Sequence, residues 1–350
     1  MSLPGPGSPA APAPEISVLL PVRDGAETLR AALDSTLASV GPAIEVVCVD
    51  DGSRDATAAI LRDYARRDAR LRVLTRPARG IVPSLCDALA AARAPLVARM
   101  DADDEMHPER LAAQRTLLEA RPDLGLAGCL VESFRAGGLR DGYRLFTDWA
   151  NACVSPDEIS REAFVDCPVP HPTWLAPRAA IERAGGWRDP GWAEDLDLFY
   201  RLLEQGVRAA KVPRTLHRWR DHDGRLSRTD PRYGRVGLAR AKAHWLPRIR
   251  PMSAAVFLGA GRTARRYARL LASEGVKTHA LAAPEEPGPA CSWQGIPVLG
   301  PAGLAAGVSD WRRSGMLFLG AAAVRGARSR IREILSGLGL VEGRDFVMLA

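Results

Sequence analysis

Apolar residues fall along the first hundred positions in two alternating rhythms. Ile16 to Val22, Ile44 to Val49, Leu71 to Leu74 and Leu96 to Met100 are short runs rich in aliphatic and β-branched side chains. Runs this short are expected as strands, and their near-continuous apolar character as strands buried on both faces. Between them, Ala26 to Ser39, Ala56 to Arg67 and Ile81 to Ala92 repeat apolar residues at helical spacing, as Leu29, Leu33 and Leu37 do, and are expected as helices. Strand and helix taking turns in this way predict a parallel α/β sheet with helices on both faces. Ligands of such sheets bind beyond the carboxyl ends of the strands.

From about Leu111 to His222 the rhythm breaks. Trp149, Trp174, Trp187, Trp192 and Trp219 stand among Gly and Pro, which predicts a more irregular half that completes a cleft. Ser227 to Arg250 is basic and expected to be helical in part. A fresh pattern follows: a strand over Ala255–Leu258, the turn Gly259-Ala260-Gly261, a helix over Thr263–Ser273, strands over Val276–Leu281 and Met316–Leu319, and a helix over Ala327–Leu338. The expected organisation is a disordered leader over 1–14, one domain over 15–250 and a smaller α/β domain over 252–350. The leader is rich in Pro, Ala and Gly and lacks the charged and apolar regions of a secretory signal.

Composition narrows the function classes. The chain has 350 residues, 47% of them hydrophobic, with a formal net charge of +7. No apolar run approaches the ~20 residues of a membrane-spanning helix. All but three of the 48 basic residues are arginine, the lysines being Lys211, Lys242 and Lys277. Such a balance attracts phosphate-bearing ligands or an anionic membrane surface, although most of these arginines read as solvated surface. With no Lys/Arg-rich block and no recognisable motif, nucleic acid is not an expected partner. The six cysteines form no C-x-x-C pair and read as reduced thiols of a cytosolic protein.

Three constellations carry chemistry. Arg99-Met100-Asp101-Ala102-Asp103-Asp104 follows an apolar strand. Three carboxylates at a strand end repel one another unless a cation or hydrogen-bond donors offset the charge. Mn²⁺ or Mg²⁺ would take carboxylate oxygens and leave positions for phosphate oxygens. A helix cap with extra first-turn acids accounts for one or two of these carboxylates, and poorly for three. Asp50-Asp51-Gly52-Ser53 puts a carboxylate on a tight glycine turn, where it could accept from a base or a ribose; turn chemistry alone explains these residues equally well. Trp192-Ala193-Glu194-Asp195-Leu196-Asp197 opens a helix, and a carboxylate at a cleft-facing helix start is a candidate general base.

Taken in order, Asp50-Asp51-Gly52-Ser53, Asp101-Ala102-Asp103-Asp104, and Gly185-Gly186-Trp187 with Glu194-Asp195 resemble the inverting family 2 glycosyltransferases of the GT-A fold. Leu20-Pro21-Val22, Glu27-Thr28-Leu29 and Arg79-Gly80-Ile81 extend the resemblance over about residues 15 to 230. The resemblance implies a GT-A nucleotide-diphospho-sugar transferase fold of class α/β, followed here by a smaller Rossmann-like domain. It implies donor contacts from Pro21, Glu27, Asp51, Asp101 and Arg99. It implies a metal held by Asp103, with Asp104 and His222 as further ligands, and Asp195 as catalytic base with Glu194 beside it. His171 and Trp187 match positions of the acceptor side of the cleft. The implied partners are a nucleotide-diphosphate sugar and a glycan or lipid-linked acceptor, in bacterial-type surface polysaccharide or glycoconjugate synthesis. The location implied is the cytoplasm, with room for peripheral association at the inner face of the membrane. Arg23-Asp24 and Asp87 depart from the family, which usually carries an aromatic residue with Asn at the first place and often Asn at the second.

Two other readings compete. A nucleotidyltransferase would carry a glycine-rich phosphate loop near the first strand, and Leu20 to Leu29 lacks one. A non-catalytic nucleotide-sugar-binding protein is opposed by the intact Asp195. In the tail, Phe257 to Ala264 resembles the start of a Rossmann-like domain. Ala280-Leu281-Ala282 stands where the ribose-binding acid belongs, so a structural or partner-binding role is expected of it.

Overall fold

The structure, a computed structural model, describes residues 13–288 and 290–350, so all but the last two positions of the expected leader lie outside the described residues. Eight strands form the larger sheet: β1 Ile16–Val22, β2 Ile44–Asp51, β3 Leu71–Arg76, β4 Leu96–Arg99, β5 Glu105–Met106, β6 Leu124–Phe134, β7 Leu175–Pro177 and β8 Arg208–Arg220. Their order is β3-β2-β1-β4-β7-β6-β8-β5. The first four run parallel. They are joined through α1 Leu29–Leu37, α2 Thr57–Arg67 and α3 Ile81–Ala91, as the alternating rhythm requires. All eight residues of β2 are buried, and Val18, Leu20, Leu29, Leu33, Ile60 and Leu61 share one core.

Beyond β4 the sheet turns antiparallel: β7 pairs against both β4 and β6, and β5 against β8. The expectation of a parallel sheet therefore holds for its first half only. β6 carries Gly125 and Gly128, and β8 carries Pro213 among five Lys or Arg. These residues erase the apolar signature of a strand, although Val212, Leu216 and Trp219 of β8 are buried. The remaining helices before residue 250 are α4 Arg110–Ala120, α5 Asp141–Ala152, α6 Pro156–Glu162, α7 Arg178–Arg183, α8 Glu194–Glu204, α9 Leu226–Thr229 and α10 Arg235–Ile249.

Contacts gather the chain into two compact units. One runs to Phe134 and takes in His171–Gly186 and Val212–Arg220; the other comprises Arg135–Pro170, Trp187–Lys211 and Asp221–Ala350. Within the second unit lies a six-stranded sheet, β9 Ala255–Leu258, β10 Thr278–Ala282, β11 Ser292–Trp293, β12 Ile296–Leu299, β13 Leu317–Gly320 and β14 Phe346–Met348, in the order β11-β12-β10-β9-β13-β14. It is parallel except for the β11–β12 hairpin. Helices α11 Arg262–Ser273, α12 Pro301–Arg313 and α13 Ala327–Gly337 accompany it. This sheet is tied to the helices that precede it in its own unit. Lys242 Nζ on α10 donates to Val165 O at 2.6 Å and Leu349 O at 3.1 Å, and Arg332 on α13 pairs with Glu162 of α6 and, at 2.9 Å, with Glu342. Among the described residues no helix is long and apolar enough to cross a membrane.

Candidate active site

The carboxyl ends of β1, β2 and β4 carry three loops that hydrogen bonds knit together. Asp24 N–H donates to Ser53 Oγ at 2.9 Å, and Asp24 Oδ1 accepts from Arg54 N–H at 2.7 Å. Gly25 N–H donates to Thr57 Oγ1 and Ala26 N–H to Asp55 Oδ2, both at 2.9 Å. Thr28 Oγ1 donates to Ala102 O at 2.9 Å, which joins the first loop to the third. Asp24 thus has a job of its own, stapling two loops, at a position where the resemblance leads one to expect Asn. Asp87, the other departure, accepts from Arg76 Nε at 2.8 Å and Arg79 Nη2 at 2.5 Å.

Asp51 is buried at the end of β2, and each of its oxygens takes one backbone donor: Arg79 N–H at 2.7 Å and Gly80 N–H at 2.9 Å. Its neighbour Gly52 has φ +70°, and a Cβ there would stand 2.7 Å from Ala78 N. Only glycine lets this turn lie so close to the loop that Asp51 holds. Pro21 sits on β1 opposite Val49. Glu27 is exposed in the turn that leads into α1.

Asp101, Asp103 and Asp104 each offer a carboxylate oxygen within 4.8 Å of the others, the only such trio of potential metal ligands among the described residues. Arg99, 2% exposed, donates through Nη2 to Asp101 Oδ1 at 2.5 Å and through Nη1 to Met100 O. Its Nε is buried with no hydrogen-bond partner. Asp104 is anchored from both sides, since His217 Nε2 lies 2.9 Å from Oδ2 and Arg220 N–H donates to Oδ1 at 2.8 Å. On the far side of the imidazole, Arg110 Nη1 lies 3.0 Å from Nδ1. A guanidinium has donors only, so Nδ1 accepts and Nε2–H donates to Asp104. Arg110 is fully buried and also donates to Arg99 O at 2.6 Å and to Gln114. The whole turn therefore rests on a buried Arg110–His217–Asp104 chain, supplemented by Arg220 Nε donating to Asp103 O at 2.8 Å. Arg110, His217 and Arg220 escape sequence reasoning, because a lone His and two arginines in a basic chain carry no spacing signal.

His171 is buried in a 3-10 turn, edge-on to Trp174 with ring centroids 4.8 Å apart. Burial first, and then the Arg99 cation, hold its imidazole well below the ordinary value, so it is neutral. The Gly185-Gly186 pair ends α7 with φ +82° and +63°, and both N–H groups donate back to α7 carbonyls, Gly185 to Glu182 and Gly186 to Ile181, a glycine-dependent helix stop.

In the second unit, Trp187 is buried and Glu194, Asp195 and Asp197 open α8. Glu194, 1% exposed, accepts from the hydroxyl of Tyr233, a residue not anticipated from sequence. Asp195 keeps partial exposure and accepts from its neighbour Leu196 N–H at 2.7 Å. Burial, then the adjacent Glu194 and Asp166 carboxylates, push its carboxyl up to about 8. Two acids one residue apart cannot ionise independently. Asp197 serves packing: its Oδ1 accepts from Trp192 Nε1 at 3.1 Å and Trp245 Nε1 at 3.0 Å, and its Oδ2 from Arg201 at 2.8 Å. His222 lies in the loop after β8, outside the aspartate trio.

Residues 17–178 match the family described as Glycosyl transferase family 2; the match ends before Glu194 and Asp195. A Bacillus subtilis protein named as a glycosyltransferase, EpsE, is 26% identical over 220 residues, 61% of this chain and 76% of that protein. The O-antigen biosynthesis protein RfbC of Myxococcus xanthus is 30% identical over 212 residues, 59% of this chain but 16% of that protein. The succinoglycan biosynthesis protein ExoO of Rhizobium meliloti is 36% identical over 137 residues, 39% of this chain and 38% of its own length. The chain thus spans about three quarters of EpsE and less than half of the other two. Among solved structures, S. aureus TarS in complex with UDP-GlcNAc superposes with a TM-score of 0.55 at 16% identity, over 73% of this chain and 71% of TarS, a likeness that shows the GT-A fold. Over residues 17–178, which include the loops at the ends of β1, β2 and β4, the chain is thus similar to the family 2 glycosyltransferases, and its fold is that of the GT-A enzymes.

Proposed function

We propose that the protein transfers a sugar from a nucleoside-diphosphate sugar to an acceptor hydroxyl, with inversion at the anomeric carbon and with Mn²⁺ or Mg²⁺ bound. The observation that carries this reading is the aspartate trio on its buried scaffold, with Arg99 beside it. Hard carboxylate oxygens held within 4.8 Å suit a hard divalent cation. Asp104 accepts one hydrogen bond on each oxygen, from His217 and Arg220, which holds the turn; a carboxylate oxygen has two lone pairs, so Asp104 can also serve the cation as a further ligand. Asp103 is the proposed principal metal ligand, with Asp101 at the ribose and sugar and His222 as a further ligand. When bound, the cation offsets charge on the leaving diphosphate.

The chain's own groups do the rest. Pro21, Glu27 and Asp51 line the nucleoside pocket, and Asp51 also holds the Arg79–Gly80 backbone. The Arg99 guanidinium, pre-positioned by Asp101, meets negative charge on the donor. Asp195 takes the acceptor proton while the hydroxyl oxygen attacks the anomeric carbon, and the bond to the diphosphate breaks in the same displacement. Burial, and then the adjacent Glu194 carboxylate, keep the Asp195 carboxyl basic, which favours proton removal. Neutral His171 and buried Trp187 are proposed on the acceptor side. We assign the transferase to residues 15–250 and a Rossmann-like accessory role to 252–350. The names of RfbC and ExoO support an acceptor in surface polysaccharide synthesis.

The test is a thermal-shift screen of nucleotide sugars with and without Mn²⁺, followed by donor hydrolysis. A donor-specific rise in Tm that requires the metal, with release of nucleoside diphosphate, is expected. Formation of nucleoside triphosphate and sugar 1-phosphate when pyrophosphate is added would instead identify a nucleotidyltransferase, and binding with no turnover a sugar-nucleotide receptor.

A further inference from the structure

From Pro231 to Ser273 the chain contains ten basic residues and no Asp or Glu. Several of the ten are neutralised or used internally. Arg232 pairs with Asp189 and Asp230, Lys242 is buried, and Arg248 pairs with Glu274. Four are not. Arg262, Arg265, Arg266 and Arg269 occupy positions i, i+3, i+4 and i+7 of α11, one face of the helix, and none has an ion pair among the described residues. The opposite face, Ala264, Tyr267, Ala268 and Leu271, is buried, so the arginine face points away from the core.

The neighbouring hairpin adds an aromatic. Trp293 on β11 stacks beneath Arg265 and Arg269, their guanidinium carbons 5.6 and 5.1 Å from its ring centroid. Exposed Gln294 and Gly295 make the turn beside it, with φ +53° and +78°. Arg235 and Arg240 on α10, the helix packed against α11, are exposed as well. Unpaired arginines repel one another and are tolerated where an external anion shares them. A single-stranded nucleic acid would need an open aromatic face for base stacking, and the Trp293 ring is covered by its two arginines. An anionic lipid leaflet asks only for a one-sided cationic face and an indole at its margin.

We propose that the α11 face, Arg262, Arg265, Arg266 and Arg269 with Trp293 beside it, docks the protein on membranes rich in anionic phospholipid. Attachment is electrostatic, since the apolar face of α11 is already used in the core. The docking surface is independent of the transfer reading and stands or falls separately.

The experiment is co-sedimentation of the full chain with large vesicles. One set is pure phosphatidylcholine and the other a one-to-two mixture of phosphatidylglycerol and phosphatidylcholine. Binding is expected for the mixed vesicles only. It should vanish when salt rises from about 0.1 M to about 1 M, which shortens the screening length from about 10 Å to about 3 Å. Each arginine near an anionic surface is worth roughly fivefold in partitioning. Arg262→Gln with Arg266→Gln, two exposed positions that stack on nothing, should therefore weaken binding by at least about tenfold at unchanged Tm. The four-fold Gln variant should abolish it. Equal binding to neutral vesicles, undiminished binding by the folded double variant, or displacement by a short oligonucleotide at lower concentration than by the mixed vesicles would each overturn the proposal.

Discussion

The proposed base makes a quantitative demand on pH. With the Asp195 carboxyl at about 8, roughly a tenth of the free enzyme carries it ionised at pH 7. Only that fraction can accept the acceptor proton, and kcat/KM reports the free enzyme. It should climb about tenfold from pH 6 to 7 and about fivefold from pH 7 to 8, then level off. A carboxylate at the usual value of about 4 would leave the same range flat. Asp195→Asn should remove the limb and lower turnover by about 10²–10⁴-fold, with donor affinity nearly unchanged. Stability gives a second readout with a definite sign. The folded state keeps a proton that the unfolded chain loses above its ordinary carboxylate value, so more protons are bound in the folded state between about pH 4 and 8. Stability contributed by this group is full below that window and falls as pH rises through it. Asp195→Asn should accordingly raise Tm relative to the parent more at pH 8 than at pH 5. A flat kcat/KM profile between pH 6 and 8 in the parent, or an unchanged limb in the Asn variant, would refute Asp195 as the base.

Asp103→Ala should lose metal-dependent binding of nucleoside diphosphate by calorimetry while Tm without ligand stays close to the parent's. His217→Leu leaves buried Asp104 and Arg110 short of a partner and should cost about 1–3 kcal/mol in denaturant unfolding. Gly52→Ala forces a left-handed alanine and a clash with Ala78 N; a loss of at least about 1–2 kcal/mol is expected, with weaker nucleotide binding because the Asp51 loop shifts. A chain ending at Arg250 removes the Leu349 carbonyl from Lys242 and Arg332 from Glu162, and should show low solubility or a broadened thermal transition.

The parallel half of the larger sheet was legible because its strands are short, apolar and separated by helix-length segments. The antiparallel half was not, since β8 presents Arg208, Arg214 and Arg218 at its surface and even buries Lys211, and β6 is broken by glycines. The acidic turn was equally legible, because three carboxylates in four residues have few structural explanations. Its support was not: Arg110, His217 and Arg220 come from α4 and β8, and only the folded chain brings them to Asp104. Tyr233 shows the same limit, since nothing in Pro231-Arg232-Tyr233 announces a hydrogen bond to Glu194. Asp197 could not be told from Asp195 by position, and its two indole donors and Arg201 separate them.

The interleaving of the two units bears on how the protein is made. The chain passes between them at residues 134, 170, 186, 211 and 220, so neither unit is a continuous stretch of translation. Segments 135–170 and 187–211, the second of which carries Glu194 and Asp195, leave the ribosome while much of their own unit is still unwritten. At about 5–20 residues per second, the roughly 130 residues after Arg220 take on the order of 7–26 s to appear. For that interval α8 lacks α10 and α6 lacks β14, the later elements that pack against them. The proposed base is thus built early and secured last, and slowing synthesis of the C-terminal third should lower the yield of folded enzyme more than slowing the first.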